Sequence, residues 1–216
     1  MTDITIYGIP GSPFLRSVEI ALKEKGADYR LHAMGVGEHK QPEHLARHPF
    51  GRIPAFEHDG FVIYETQAII RYLDQVFPAP SLTPADPKER ARMNQLIGAI
   101  EWYFFPKAAA PIGFNRVIGP VLLGITPDEA AITDAMPMAG TCIAEFERLL
   151  GDQPFVAGQS FSIADIMLGA QLDLFNASPE GASLLDGTRL AAWLDRVRQR
   201  PSMLATEPPA VFRKAA

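Results

Sequence analysis

Strand-like and helix-like patterns alternate over the first 80 residues, and their order limits the possible folds more than any other feature. A short apolar run precedes a helical pattern in which Leu15, Val18 and Leu22 share one face. Further on, Asp59-Gly60 separates two apolar runs, and Asp-Gly at such a place predicts a β-hairpin. The patterns predict strands over 4–7, 29–32, 53–57 and 61–64, and helices over 14–25, 43–46 and 65–76.

This order is β-α-β, then a short helix, a hairpin and a final helix, which is the order of a thioredoxin-like domain. A proline-rich segment at 77–84 follows, and beyond it the chain has helical patterns almost throughout. We therefore predict an α/β plus all-α protein, with an N-terminal thioredoxin-like domain over 1–77, a linker over 78–85 and a C-terminal helical bundle domain over 86–216.

Capping residues mark where the helices of the second domain should begin. Asp86-Pro87 and Thr126-Pro127 each place a capping side chain before a proline at the first helical position. Ser162 and Asp165 have the spacing of a capping box. A last helix is predicted over 189–199.

Charge and cysteine content exclude several classes of function. The formal net charge is −5 and Lys and Arg form no stripe, so no nucleic-acid partner is expected. No apolar run has the length of a membrane span, and the first residues show no leader pattern. Cys142 is the single cysteine, which rules out an internal disulfide and a cysteine-based redox pair or zinc cluster. We expect a cytoplasmic protein with no metal and no membrane partner.

Ser12-Pro13 opens the first predicted helix and permits two interpretations. A polar residue followed by proline also opens two helices of the second domain, so spacing alone favours a simple N-cap. A helix N-terminus also stabilises an anion such as a thiolate, because its N–H groups are unpaired and the macrodipole is positive there. A serine hydroxyl at that place can donate a hydrogen bond to the sulfur. Cap and catalyst need the same geometry, so other residues have to decide between them.

Three segments resemble glutathione S-transferases, and most closely their phi-like, serine-type members. Residues 38–56 are similar to the glutathione-binding segment of that family, with the sequence EHKQPEHLARHPFGRIPAF. Residues 61–73 resemble the segment that carries its Glu-Ser/Thr pair, with the sequence FVIYETQAIIRYL, and residues 161–166 resemble its helix-capping motif. The resemblance implies glutathione as co-substrate and Ser12 as the catalytic residue that stabilises its thiolate.

The resemblance also assigns parts of the tripeptide to particular residues. Ile53-Pro54 is similar to the family's cis-proline turn, which would direct the Ile53 N–H and C=O to the cysteinyl backbone. Thr66 would bind the γ-glutamyl carboxylate at a helix N-terminus, and Glu65 would face the ammonium group. His39 and Lys40 would meet the glycyl carboxylate. From the residues alone, an edge strand with a trans proline, a plain helix cap and a solvated charge pair are also open.

Two positions depart from the phi-like pattern. Arg52 stands where such members usually carry Gln, and it either adds a second cation near the glycyl end or points to solvent. His48 stands where they usually carry Asn. In addition, Pro13 removes one N–H from the helix tip, so the thiolate would depend more on the Ser12 hydroxyl.

Aromatic residues indicate the electrophile site. In the resembled family the second substrate lies between the first domain and the start of the helical domain, and an apolar pocket there would suit hydrophobic electrophiles. The same aromatic pattern is typical of a core, so both interpretations stay open. Our candidates for contact with the electrophile are Phe14, Trp102, Phe105 and Phe114.

Tyr7 and Phe50 complete the set of candidates. Several transferase classes use a tyrosine near the end of the first strand, but nothing in the loop spacing favours Tyr7 here, and we interpret it as a packed strand residue. Phe50 resembles an aromatic that inserts into the neighbouring subunit of family dimers, which implies a homodimer; the other interpretation is a local core residue.

The sequence thus predicts a glutathione transferase that conjugates the thiolate to hydrophobic electrophiles, with glutathione-dependent peroxide reduction as a further activity. The alternative is a non-catalytic, transferase-like carrier or interaction module that binds apolar ligands. Disulfide chemistry or dehalogenation is a third hypothesis, and the lack of a cysteine near Ser12 counts against a mixed disulfide.

Overall fold

The computed structural model describes residues 3–213, and the chain divides into two compact units. The boundary between them at Ser81 lies within the linker predicted over 78–85. A late segment returns to the first unit, whereas the prediction placed everything from 86 to 216 in one helical domain. The first unit is Met1–Ser81 with Pro201–Pro208, and the second is Leu82–Arg200 with Pro209–Ala216.

A four-stranded sheet forms the centre of the first unit. Its strands are β1 (Ile4–Gly8), β2 (Arg30–Ala33), β3 (Ala55–His58) and β4 (Phe61–Tyr64), in the spatial order β2-β1-β3-β4. β1 is parallel to β2 and antiparallel to β3, while β3 and β4 form the predicted hairpin. The thioredoxin-like prediction is confirmed, and each strand lies within two residues of its predicted bounds.

The helices of the first unit are α1 (Pro13–Glu24), α2 (Pro42–Leu45) and α3 (Thr66–Val76), with a 3-10 turn at Glu38–Lys40. α1 and α3 pack against each other. The predicted apolar face of α1 is confirmed, since Leu15, Val18 and Leu22 are fully buried. Burial of such a face supplies most of the stability of a helix this short.

Lys25 connects three parts of the first unit from the end of α1. Its side chain is fully buried, and its ammonium group lies 2.6 Å from an Asp74 carboxylate oxygen of α3. The same nitrogen donates to the Pro80 carbonyl at the start of the linker. The ion pair with Asp74 holds the ammonium group in place, because loss of one partner of a buried pair leaves an uncompensated charge. Its bond to the Pro80 carbonyl then attaches the start of the linker to the sheet-bearing unit.

The second unit consists of helices in the residues described. One long helical region spans 87–123, with α-helical and π-helical stretches in turn. Its α-helices are α4 (Pro87–Ala99), α5 (Ala110–Gly113) and α6 (Gly119–Leu123), followed along the chain by α7 (Glu129–Leu150), α8 (Ile163–Phe175), α9 (Pro179–Leu185) and α10 (Arg189–Arg198).

Ile100–Ala109 and Phe114–Ile118 wind as π-helix, which the sequence pattern does not predict. The N–H of Ala110 bonds to the Phe105 carbonyl, five residues back instead of four. Pro106 lies inside the first stretch and supplies no N–H, so an α-helical ladder is interrupted there.

The core of the second unit contains three aromatic rings at right angles. Phe104 packs edge-to-face against Phe146 and Phe175, with ring centroids 5.5 and 5.3 Å apart. Its neighbours Trp102 and Tyr103 are 73% and 52% exposed. The aromatic run is therefore divided between core and surface.

The start of α7 corrects one predicted cap. Thr126 was expected to cap this helix with Pro127 at the first position, and this is wrong. Asp128 caps it instead, because its carboxylate accepts the N–H groups of Ala130 and Ala131 at 3.0 and 3.1 Å. The caps predicted at Asp86 and at Ser162 with Asp165 are confirmed.

The last helices of the described residues are α11 (Pro201–Leu204) and α12 (Ala210–Arg213). α11 packs on α1 within the first unit, where a guanidinium nitrogen of Arg16 donates to the Met203 carbonyl at 3.2 Å. No helix formed by residues 3–213 has both the length and the apolar character needed to cross a membrane.

Candidate active site

Ser12 caps α1 with a long hydrogen bond. Its backbone is extended, and its hydroxyl oxygen lies 3.4 Å from the Leu15 nitrogen, near the limit for such a contact. Pro13 supplies no N–H at the helix tip, and the first turn carries no acidic residue. Within residues 3–213 the hydroxyl hydrogen of this half-buried serine is donated to no group. Ser12 is therefore a cap, and its one donor stays available.

The peptide bond between Ile53 and Pro54 is cis, as the resemblance implied. Residues 3–213 contain no hydrogen-bond partner for the N–H or the C=O of Ile53, which is half-buried just before β3. Unpaired backbone groups beside a strand are what an added peptide segment requires. The turn thus offers one donor and one acceptor at the same residue.

Glu65 and Thr66 lie where β4 ends and α3 begins. Glu65 is exposed and has φ +70°, a conformation that a residue with a Cβ rarely adopts, and its side chain does not cap the helix. Strain of this kind is concentrated at functional sites. Thr66 is buried at the N-terminus of α3, and none of the hydrogen bonds among residues 3–213 uses its hydroxyl. An anion would find a hydroxyl donor and the positive end of an eleven-residue helix there.

His39 and Lys40 lie in the 3-10 turn, close to Gly51. The Lys40 ammonium group donates to the Gly51 carbonyl at 2.8 Å and keeps two further donors. Gly51 has φ +56°, and a Cβ there would lie 3.1 Å from the His39 carbonyl oxygen, so glycine suits both this conformation and the close approach of the loop. Burial, followed by the charge of Lys40, lowers the pKa of His39. Lys40 is therefore the cation of this loop at neutral pH, with the exposed Arg52 as a second one.

Tyr7 is held by its neighbours. Its hydroxyl donates to a Glu57 carboxylate oxygen at 2.9 Å, and the Arg47 guanidinium lies 4.2 Å from its ring centroid. Burial is the largest cause that raises the pKa of Tyr7, and the hydrogen bond to Glu57 adds to it. These contacts fit the interpretation of Tyr7 as a packed strand residue.

A stack of three rings, which the sequence analysis did not identify, joins α2 to β4. The His48 ring lies 4.5 Å from the Tyr64 ring and 6.1 Å from the His44 ring, in nearly parallel planes. His44 also contacts the Arg52 carbonyl through Nε2 at 2.7 Å. Both histidines are 2% exposed. The sequence carried no signal for this role, because a histidine on a four-residue helix has no pattern of its own.

The predicted electrophile contacts occupy both units. In the first, Phe14 is half-buried in α1 directly after Ser12-Pro13. In the second, Phe105 is half-buried, while Trp102 and Phe114 are 73% and 40% exposed. Three of the aromatic side chains on the helical unit thus retain surface that a ligand could cover.

Phe50 is 67% exposed at the edge of the first unit. Its ring meets those of His48 and Tyr64 edge-on, at 6.2 and 6.0 Å. A phenylalanine with most of its surface exposed is more typical of an interface than of a local core.

Cys142 is buried, and burial raises the pKa of its thiol. A buried thiol with a raised pKa stays protonated at neutral pH, and a protonated thiol is a poor nucleophile. Among residues 3–213, no three His, Cys, Asp or Glu side chains are arranged to hold a metal ion.

Two family models match the chain. Residues 2–75 match the glutathione S-transferase N-terminal domain, and residues 129–196 match the glutathione S-transferase C-terminal domain. A probable glutathione S-transferase of Oryza sativa subsp. japonica is 30% identical over 205 residues, which cover 94% of each chain. Glutathione S-transferase 1 of Zea mays is 31% identical over 207 residues, which cover 94% of this chain and 95% of that one.

Solved structures agree with these relatives. A glutathione transferase from Populus trichocarpa superposes with a TM-score of 0.85 at 28% identity, over 98% of this chain and 99% of that one. A theta class enzyme from Xanthomonas axonopodis pv. citri, solved with glutathione bound, gives a TM-score of 0.81 at 27% identity, over 95% and 97% of the two chains. With phi-like motifs, both domain models and relatives along its whole length, the chain belongs to the glutathione S-transferase family and is a glutathione transferase.

Proposed function

We propose that this transferase activates glutathione at Ser12 and conjugates the thiolate to hydrophobic electrophiles. The observation that carries the proposal is the Ser12 hydroxyl, which caps α1 by a 3.4 Å contact and keeps its hydrogen for a ligand. A free cysteine thiol has a pKa of about 8.5, so most of it is protonated at neutral pH. A hydroxyl donor and the positive helix end both favour the thiolate, which is the nucleophile.

Further groups of the first unit support the proposal, since each suits a different part of glutathione. Thr66 and the N-terminus of α3 suit the γ-glutamyl carboxylate, and the exposed Glu65 carboxylate suits the ammonium group. Ile53 offers an unpaired N–H and C=O to the cysteinyl backbone. His39, Lys40 and Arg52 suit the glycyl carboxylate, with Lys40 as the fixed charge among them.

In the proposed reaction the cysteinyl S–H loses its proton to solvent, and the sulfur attacks an electrophilic carbon as its leaving group departs. Ser12 donates its hydrogen bond to the sulfur and is not consumed. The same thiolate could attack a hydroperoxide oxygen, with a second glutathione completing the reduction to alcohol, water and glutathione disulfide. Phe14, Trp102, Phe105 and Phe114 are proposed to bind the apolar part of the electrophile.

Retention on immobilised glutathione tests the binding half of the proposal. Rates with chloro-dinitrobenzene, an isothiocyanate and a hydroperoxide test the chemical half and rank the reactions. We expect retention and a conjugation rate that rises with pH through the lowered pKa of the bound thiol. Retention without turnover of any of the three would instead support the alternative, an apolar-ligand carrier.

We also propose that two copies associate through Phe50, in a cytoplasmic detoxification enzyme. The support is its 67% exposure together with its edge-on contacts to His48 and Tyr64. Sedimentation of the protein should give a dimer, and Phe50→Ala should shift it toward monomer. An unchanged dimer would remove Phe50 from the interface.

A further inference from the structure

His44 makes a hydrogen bond whose direction can be assigned from chemistry alone. Its Nε2 lies 2.7 Å from the Arg52 carbonyl oxygen, and the ring is 2% exposed. A carbonyl oxygen only accepts, so Nε2 must carry the hydrogen. In a neutral ring the lone pair is then on Nδ1, which is buried and has no hydrogen-bond partner within residues 3–213. The single N–H donor of the neutral His44 ring is thus used in a hydrogen bond to the main chain.

The acceptor of this bond belongs to the peptide unit that carries the Ile53 N–H. The cis bonds found between residues 3 and 213 are Ile53-Pro54 and Ala79-Pro80, so the Arg52-Ile53 peptide is trans. In a planar trans peptide the C=O and the N–H point in opposite directions. A carbonyl fixed toward the buried His44 ring therefore fixes the Ile53 N–H away from it, and that N–H has no partner in the described chain.

The ring that provides this bond is itself immobilised. His44 stacks at 6.1 Å on His48, which stacks at 4.5 Å on Tyr64, the residue before Glu65. The His48 N–H also bonds to the His44 carbonyl at 2.8 Å. The stack therefore connects the two ends of the candidate glutathione site, the Ile53 turn and the start of α3.

We propose that His44 is a positioning residue for glutathione, which holds the Ile53 N–H in the direction in which it meets the cysteinyl backbone. The inference rests on the proposed function, since it needs Ile53 to bind the tripeptide. His44 does not touch the ligand. The hydrogen bond from His44 Nε2 restricts rotation of the Arg52-Ile53 peptide plane before glutathione binds. Preorganisation of this kind raises the affinity for glutathione without a new contact to it.

The kinetic signature follows from where the lost interaction acts. Ile53 binds the backbone of glutathione equally in the ground state and in the transition state, so loss of its orientation raises KM and leaves kcat unchanged. Thiolate formation depends on Ser12 and on α1, so the pH profile of kcat stays as in the wild type. A residue that served stability alone would change neither parameter in the folded protein.

The test compares His44→Phe, which keeps a ring and loses the donor, with His44→Gln, which keeps an N–H donor. His44→Phe should raise the KM for glutathione about tenfold, the value for one hydrogen bond of about 1.4 kcal/mol, with kcat within twofold. His44→Gln should recover most of that loss. The matched control is His58→Phe, because His58 is a buried, hydrogen-bonded histidine at the far end of β3. It should lower the melting temperature and leave KM unchanged.

Calorimetry and nitrogen NMR on the wild type keep the two proposals separable. Failure of the wild-type protein to bind glutathione would overturn the proposed function. Normal binding together with an unchanged KM in His44→Phe would overturn the role of His44 alone. If His44→Phe does not fold, the NMR decides: we expect the Nε2–H tautomer at His44 and an Ile53 amide signal that shifts on addition of glutathione. The Nδ1–H tautomer, or an unmoved Ile53 signal in a protein that binds glutathione, would contradict the proposal.

Discussion

Ser12 and Ser162 occupy the same position, the N-cap of α1 and of α8, yet their surroundings differ completely. Ser162 is fully buried, and both its N–H and its hydroxyl are donated to one oxygen of Asp165, at 2.9 and 2.8 Å. The other oxygen of Asp165 accepts the Val156 N–H and the Trp193 ring N–H. Ser12 is half-buried, its hydroxyl makes one long contact, and the first turn of α1 has no acidic residue to pair with it.

The comparison shows how one type of cap serves two purposes. A cap whose donors are all used stabilises the fold, and it has nothing left to offer a ligand. A cap with an unused donor contributes less to the fold and can act on an anion placed at the helix end. The difference lies in the neighbours of each serine, so substitutions at each site should have opposite consequences for stability and turnover.

Removal of the Asp165 carboxylate should have the largest effect. Asp165→Ala removes the acceptor of four buried donors, and we expect a loss of about 4 kcal/mol in the free energy of unfolding. Urea denaturation measures it. The control is Asp86→Ala, an exposed cap of α4, for which about 1 kcal/mol is expected. Equal losses of unfolding free energy at the two positions would contradict the idea that a cap stabilises the fold more when all its donors are hydrogen-bonded.

Ser12→Ala should give the reverse result. We expect kcat/KM to fall about 100-fold, as when one donor to a developing anion is removed, with the pKa of the bound thiol raised. The loss in unfolding free energy should stay below about 1 kcal/mol, because the cap contact is long. Ser12→Thr keeps the hydroxyl and serves as control. Full turnover in Ser12→Ala would make Ser12 a cap only.

Thr66→Val extends the comparison to the start of α3. The valine keeps the shape and removes the hydroxyl, so the KM for glutathione should rise about tenfold, with kcat little changed. Thr133→Val is the matched control, because the exposed Thr133 hydroxyl donates to the Glu129 carbonyl within α7. If both variants have the wild-type KM, the hydroxyl of Thr66 does not meet the carboxylate.

The smallest expected effect is on the pH dependence of stability. Burial, followed by the charges of His44, Arg52 and Lys40, lowers the pKa of His48 from 6.5. The unfolded chain then binds the proton more readily than the folded one, so stability falls as the pH drops from about 6.5 toward the folded-state pKa. His48→Asn should flatten this decline in thermal melts between pH 7 and pH 5. His39, whose pKa is lowered as well, adds to the decline, whereas Asp165, whose pKa is raised to about 6 by burial, contributes with the opposite sign.

Much of the fold could be predicted from the sequence because its signals are local. The apolar run of β1, the Asp59-Gly60 hairpin and the Asp86 cap each depend on a few adjacent residues, and all three are confirmed. The start of α7 was missed because Asp128 competes with Thr126, and the Asn115 side chain, which fixes the Asp128 N–H at 2.9 Å, is distant in sequence.

The candidate site was predicted in part for the same reason. The cis-proline turn came from a resemblance to a continuous motif. The role of His44 requires knowledge that its ring meets the Arg52 carbonyl, which no spacing reveals. The π-helical winding at 100–109 was likewise missed. There the N–H groups bond to the carbonyl five residues back instead of four, and this change leaves no recognisable pattern in the sequence.

The return of residues 201–208 to the first unit has a consequence for the order of folding. The Arg16 to Met203 hydrogen bond joins residues 187 positions apart, with Leu82–Arg200 of the second unit between them. Closure of so long a loop is slow when the intervening chain is disordered. We therefore expect α11 to pack on α1 late in folding, after the helical unit has formed. Nascent chains would then hold an incomplete first unit until residues 201–208 are synthesised.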